Sequence, residues 1–205
     1  MSGFKEIPQS LQKFSLQEMP GMVAPHVGPR PRVNGKFLFV GEEKFWVKGV
    51  TYGTFEPDAN GLQFPLQLQV EEDFRQMAAS GINAVRTYTV PPAWLLDVAL
   101  QSGLRVMVGI PWEQHIVFLD DKRRVHAIEE TARSAARSCA NHRAVLCYVV
   151  GNEIPASIVR WHGRRRVEQF IRRLYRIVKE EDPDGLVTYV NFPTTEYLQL
   201  PFLDF

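Results

Sequence analysis

An α/β fold built on a parallel sheet is what the sequence predicts, and three observations predict it. Short apolar runs alternate with segments of helical spacing from Phe45 onward. One of these runs, Val145–Val150 (VLCYVV), is apolar throughout, as a strand covered on both faces must be. Glycine or proline punctuates several of the junctions, so strand and helix follow one another as they do in βαβ units.

Residues 1–32 read as a leader or linker, because Pro8, Pro20, Pro25, Pro29 and Pro31 interrupt any apolar period; residues 33–205 form the barrel-like unit. Asn34-Gly35 is a turn signal between two extended runs, and FLFVGEEKFWVKGV reads as strand, turn and strand. Phe45–Tyr52 is the first strand of the alternating series. Val70–Ser80 is helical, with Val70, Phe74, Met77 and Ala78 on one side, and Gly81 stops it. Ala84–Thr87 is a short buried strand. Ala93–Ser102 is a helix, entered through Pro91-Pro92 and ended by Gly103. Leu104–Ile110 is the third strand and Asp121–Cys139 the third helix. Glu168–Glu181 is the core of a fourth helix, with Phe170, Ile171, Leu174, Ile177 and Val178 along one side. Leu186–Val190 is the fifth strand, and Phe202–Phe205 opens a sixth. A closed eight-stranded barrel takes about 250 residues. About five and a half βα units therefore predict a partial (β/α)8 TIM-barrel type, a fragment of a longer chain.

Composition narrows the function. Of 205 residues, 45% are hydrophobic and 23% charged, an ordinary globular balance. A formal net charge of +1 gives no reason to expect a nucleic-acid partner. Cys139 and Cys147 read as buried thiols, without the spacing of a metal site. Neither GxxxxGK[ST] nor GxGxxG occurs, which disfavours nucleotide use by this segment, and no cofactor is expected. The N-terminus has no apolar signal core, and no run of about 18 apolar residues follows. A membrane segment is not expected, and a cytoplasmic location is the default.

In parallel α/β architectures the working residues gather at the C-terminal ends of the strands. Here those ends read Thr51-Tyr52-Gly53-Thr54-Phe55-Glu56, Arg86-Thr87-Tyr88, Pro111-Trp112-Glu113-Gln114-His115, Gly151-Asn152-Glu153 and Asn191-Phe192-Pro193. Hydrogen-bonding groups and aromatics recur together, which suits sugar hydroxyls and flat sugar faces. Asn152-Glu153 is the sharpest feature: an apolar strand delivers a carboxylic acid to the mouth beside an amide. Glycosidic cleavage needs an acid with a raised pKa to protonate the leaving oxygen, and a second carboxylate about 5–5.5 Å away if configuration is retained. Read alone, a strand-end Glu such as Glu153 more simply caps the next helix or pairs with an arginine.

Four segments resemble the catalytic barrel of the family 2 glycoside hydrolases, the β-galactosidase and β-glucuronidase group. They are FWVKGVTYGTF, DFRQMAASGINAVRTYTVPP, LLDVALQSGLRVMVGIPWE and HRAVLCYVVGNEI, in the family's order and spacing. The resemblance implies Glu153 as general acid/base, Asn152 as the amide holding the sugar 2-hydroxyl, and Arg86 as the arginine beside the nucleophile. It places that nucleophile, a glutamate, on a seventh strand beyond Phe205. The resemblance thus implies a retaining glycoside hydrolase acting on a β-linked oligo- or polysaccharide. A transglycosylase, or a non-catalytic carbohydrate-binding barrel attached to a glycan-synthesising enzyme, remains the alternative.

Secondary candidates at the mouth are Tyr52 and Tyr88 as hydrogen-bond donors, Trp112 and Trp161 as stacking platforms, and Glu113, His115 and Asn191 as polar contacts. Glu113 and Glu196 read more simply as surface or capping acids. His142 precedes the fourth strand, at the opposite end, and suits a turn. The run Arg160-Trp161-His162-Gly163-Arg164-Arg165-Arg166 reads as a solvated helix start offset by Glu168, Glu180, Glu181 and Asp182. Cations at a helix N-terminus oppose its dipole, so this run calls for an acidic partner.

Overall fold

The computed structural model describes residues 28–59 and 61–205, so the expected leader lies outside the described residues as far as residue 27. A three-stranded antiparallel sheet comes first: β1 (Pro31–Asn34), β2 (Phe37–Val40) and β3 (Glu43–Lys44). Asn34 pairs with Phe37, which leaves a two-residue loop with Gly35 at φ 62°, a left-handed conformation that glycine adopts without penalty. The main sheet follows, formed by β4 (Gly49–Thr51), β5 (Ala84–Thr87), β6 (Arg105–Gly109), β7 (Val145–Asn152) and β8 (Val187–Val190). Its spatial order is the sequence order, and every neighbouring pair is parallel. A doubly wound sheet would reverse direction at a switch point. This one winds one way, as a barrel wall does.

The helices are α1 (Gln67–Ala79), α2 (Ala93–Gln101), α3 (Lys122–Cys139), α4 (Ala156–His162) and α5 (Arg164–Glu181). Strand alternation sorts the side chains. Val85, Val106, Val108, Tyr148, Val150 and Val187 face the helices and join the main core. Ala84, Met107, Leu146, Cys147 and Leu186 form a second cluster on the other face, closed by Val33, Leu38 and Phe45 from the small sheet. That small sheet therefore plugs the barrel at the N-terminal end of its strands. On α5, Val167, Phe170, Ile171, Leu174, Ile177 and Val178 are buried at helical spacing. Each such side chain contributes about 1.5–3 kcal/mol of burial.

Two expectations are corrected and one, the core of the fourth helix, is extended. The first strand of the series is Gly49–Thr51, not Phe45–Tyr52, because Asn83 takes the backbone before it: its Oδ1 accepts from Lys48 N and its Nδ2 donates to Trp46 O, both at 2.8 Å. The fourth helix begins at Arg164 and is preceded by a separate α4, the break falling at Gly163 with φ 83°. Phe202–Phe205 is not a strand. Asp204 N donates to Val187 O (3.1 Å), and the Asp204 carboxylate accepts from Val187 N (2.7 Å), so a side chain occupies the N–H a further strand would use.

Candidate active site

β7 runs two residues past its expected end, which carries Asn152 to the mouth while it still pairs with Val190 of β8. Arg86, two strands away on β5, donates from Nη2 to Asn152 Oδ1 at 2.5 Å. With its carbonyl oxygen so engaged, Asn152 retains both N–H donors for a ligand oxygen. Arg86 also lies over the Tyr88 ring, 4.8 Å from the centroid, a cation–π contact that steadies the guanidinium. Its Nε is buried and has no hydrogen-bond partner among the described residues. A fixed positive charge with an uncommitted donor suits a carboxylate.

Glu153 follows at φ 55°, one of two non-glycine residues in the left-handed region among the described residues. That backbone costs roughly 1–2 kcal/mol for a residue with a Cβ, so something must hold it. Glu153 N donates to Val190 O at 2.8 Å, and Ile154 N donates to the Tyr189 hydroxyl at 3.0 Å. Just before them, a Cβ on Gly151 would sit 3.1 Å from the Tyr189 ring and 3.2 Å from the Trp112 ring. Glycine lets the strand pass between those rings without displacing either. The turn thus presents Glu153 exposed at the end of a strand whose six preceding apolar residues are buried.

Tyr189 is the residue that sequence reasoning missed. Burial pushes its hydroxyl up to about 12, with the Ile154 N–H opposing and the nearby Glu153 charge adding to the rise. The available signal was a tyrosine one residue before the end of the strand that neighbours Asn152-Glu153.

The other candidates scatter. Tyr52 is buried, packs edge-on against Phe55 and Phe74, and donates from its hydroxyl to Asp73 of α1 at 2.7 Å, so it faces the helices and not the mouth. Tyr88 is exposed beneath Arg86. Trp112 donates from Nε1 to Val150 O at 3.0 Å and packs on Phe118 and Phe170, which makes it a wall of the turn, not a free platform. Glu113 pairs with Arg124 at 2.6 Å, the surface role. His115, Asn191 and Glu196 are exposed, and Asn191 Oδ1 accepts from Thr195 Oγ1 at 2.8 Å. Trp161 is exposed, with its indole N–H on Asp120 at 2.8 Å. His142 Nε2 lies 3.2 Å from Asp97 and its Nδ1 accepts from Ala144 N, a turn contact at the far end. Among the described residues no group of three or more His, Cys, Asp or Glu is placed to hold a metal, and no helix is long and apolar enough to cross a membrane.

A parallel sheet whose spatial order follows the chain, with helices between its strands, is the wall of a (β/α) barrel. Residues 32–204 match the family described as "Glycosyl hydrolases family 2, TIM barrel domain", and the chain belongs to that family. No curated protein matches it significantly. Among solved structures it is similar to a β-glucuronidase from Ruminococcus gnavus in complex with D-glucuronic acid, with TM-score 0.68 and 14% identity over 85% of this chain and 29% of that one. It is also similar to Bacteroides uniformis β-glucuronidase 2 covalently bound to cyclophellitol-6-carboxylate aziridine, with TM-score 0.60 and 20% identity over 75% of this chain and 19% of that one. Bifidobacterium dentium β-glucuronidase complexed with coumarin-3-O-glucuronide gives TM-score 0.62 and 17% identity, over 78% and 26%. At these identities the likeness is one of fold. The chain spans about a fifth to three tenths of the length of these relatives.

Proposed function

We propose that the chain carries the acid/base half of a retaining glycosidase site, acting on a β-linked saccharide. The observation that supports it most is the strained Glu153, set exposed on a doubly tethered turn next to the Arg86–Asn152 contact. Backbone held in a disfavoured region at a strand mouth is a mark of function. In this reading Glu153 gives its proton to the glycosidic oxygen as that bond breaks. A carboxylate from a later strand, steadied by Arg86, bonds to the anomeric carbon. Glu153 then takes a proton from water, which displaces the carboxylate and completes hydrolysis. Asn152 donates to the 2-hydroxyl through its free N–H groups. The relatives named as β-glucuronidases make aryl β-glucuronides the first substrates to try.

The test is to express the complete reading frame and compare it with Glu153→Gln. Turnover of substrates with poor leaving groups is expected to fall by roughly 10²–10⁴-fold, and activated leaving groups should be hit less. Saccharide binding that survives Glu153→Gln in a protein with no turnover at all would replace the enzyme by a binding barrel.

A further inference from the structure

The outer face of α5 carries a charge pattern the mouth does not use. Arg164, Arg165, Arg166, Arg172, Arg173 and Arg176 lie on this one helix, in a protein whose formal net charge is only +1. The acids expected to offset them are mostly spent elsewhere. Glu181 pairs with Arg133 and Arg137 (3.2 and 2.9 Å), Glu180 with Arg133 (3.4 Å), and Asp182 with Arg30 (2.6 Å). What remains is Glu168 at 3.5 Å from Arg164, Glu129 at 2.8 Å from Arg173 and Asp120 at 3.9 Å from Arg166. Arg165 and Arg176 are exposed and have no ion-pair partner among the described residues. Arg172 is held over the Phe202 ring, 4.5 Å from its centroid. Arginines 165, 172 and 176 fall on one stripe of the helix, spanning about 16 Å at the usual helical rise.

Two grooves flank this stripe. One, against α3, is about 540 Å³ and includes Lys122, His126, Arg166, Gln169 and Arg173, with Glu129 as its one acid, paired to Arg173. The other is about 630 Å³ and is lined by Arg165, Gln169, Arg172, Arg173, Arg176 and Gln199, with Glu168 as its one acid. Each has the volume of an ordinary ligand cleft, and they share Gln169 and Arg173. Like charges along a helix, with three of them in its first turn, cost stability that a bound polyanion would offset.

We propose that this face is an exosite for an acidic polysaccharide of the polyuronate kind. Guanidinium forks match carboxylates, and the amides of Gln169 and Gln199 supply partners for hydroxyls. A uronic-acid chain presents both groups at regular intervals. Neither groove is lined by an exposed aromatic ring on which a nucleic-acid base could stack. The choice of a glycan among polyanions rests on family membership and not on the role given to Glu153.

The product of the complete reading frame should bind a soluble polyuronate, read by calorimetry or affinity electrophoresis at low salt, and weaken steeply as salt rises. Arg165→Glu with Arg176→Glu should lower affinity roughly tenfold or more, and Arg165→Gln with Arg176→Gln somewhat less. Lys36→Glu with Lys48→Glu makes the same change in net charge far from the groove and should shift affinity less than about twofold. Glu153→Gln should bind polyuronate like the parent, which keeps this result separate from the fate of the acid/base reading. Equal loss in the lysine control, or equally tight binding to polyglutamate, to single-stranded DNA or to a neutral glucan, would overturn the proposal.

Discussion

The two ends of the parallel sheet use the same residue types to opposite effect. At the N-terminal end the buried charges are consumed. Arg30 closes its fork on Asp182 at 2.6 and 2.8 Å, Tyr148 donates to the same carboxylate at 2.7 Å, and Arg105 gives its guanidinium to the carbonyls of Gly28, Pro29 and Arg143. At the C-terminal end Arg86 keeps one donor unspent and Glu153 stands exposed on strained backbone. Satisfied groups hold the segment before β1 and the turn into β8 together. The unsatisfied ones are the groups that the proposed site would use. Barrels divide labour this way, with stability at one face and chemistry at the other.

Breaking the N-terminal end should give the largest loss of stability. Removing one partner of a buried ion pair costs about 3–5 kcal/mol, so Asp182→Asn should lower the melting temperature sharply. Arg30→Met combined with Asp182→Leu should recover much of that loss, since no buried charge is then stranded. Glu153→Gln, at the other end, should leave the melt within about 0.5 kcal/mol of the parent. The pH dependence sharpens the contrast. Burial pushes the Asp182 carboxyl up, but Arg30 and Tyr148 overcome this and hold it below its ordinary 3.8. A depressed carboxyl contributes its full stability above the unfolded value and loses it as pH falls through the folded one. The parent should therefore weaken below pH about 4 by a component that Asp182→Asn lacks. Identical acid melts for the two proteins would refute the buried pair as the anchor.

A smaller effect is expected at the mouth from Gly151→Ala. The added methyl meets two rings that cannot easily yield, since Trp112 is tied to Val150 O and Tyr189 to Ile154 N. Overpacking of this kind costs about 1–3 kcal/mol. If the turn positions Glu153, catalysis by the complete enzyme should fall by more than the change in stability predicts. Activity falling only in step with the folded fraction would reduce Gly151 to a packing residue.

The sequence made much of this legible, and its failures have physical causes. Strand order, the helix faces and the Asn152-Glu153 mouth follow from periodicity and from what stands at strand ends. Tyr52 misled because, at the end of a strand, period 2 does not say which side chains face the barrel axis and which face α1. The neutralisation of Arg164–Arg166 was misjudged because sixteen residues of helix separate Arg164 from Glu180, about 24 Å. Those acids belong to the other end of the sheet. Asn83 cut the first strand short by side-chain bonds that no propensity encodes.

Of the two changes to the packing of the turn, Tyr189→Phe gives the smaller effect and asks the finer question. The ring stays, so the passage of Gly151 between Tyr189 and Trp112 is kept, while the acceptor for Ile154 N is lost. An unpaired buried amide costs about 1–3 kcal/mol, and local relaxation should bring this to the lower end. The stability loss alone says little. A loosened left-handed turn should slow substrates that need a proton on the leaving group and spare those with activated leaving groups, because only the former depend on where Glu153 sits. In a Glu153→Gln background the same change should then do nothing further to turnover. An equal slowing of both substrate types would mean that Tyr189 supports the barrel and not the acid.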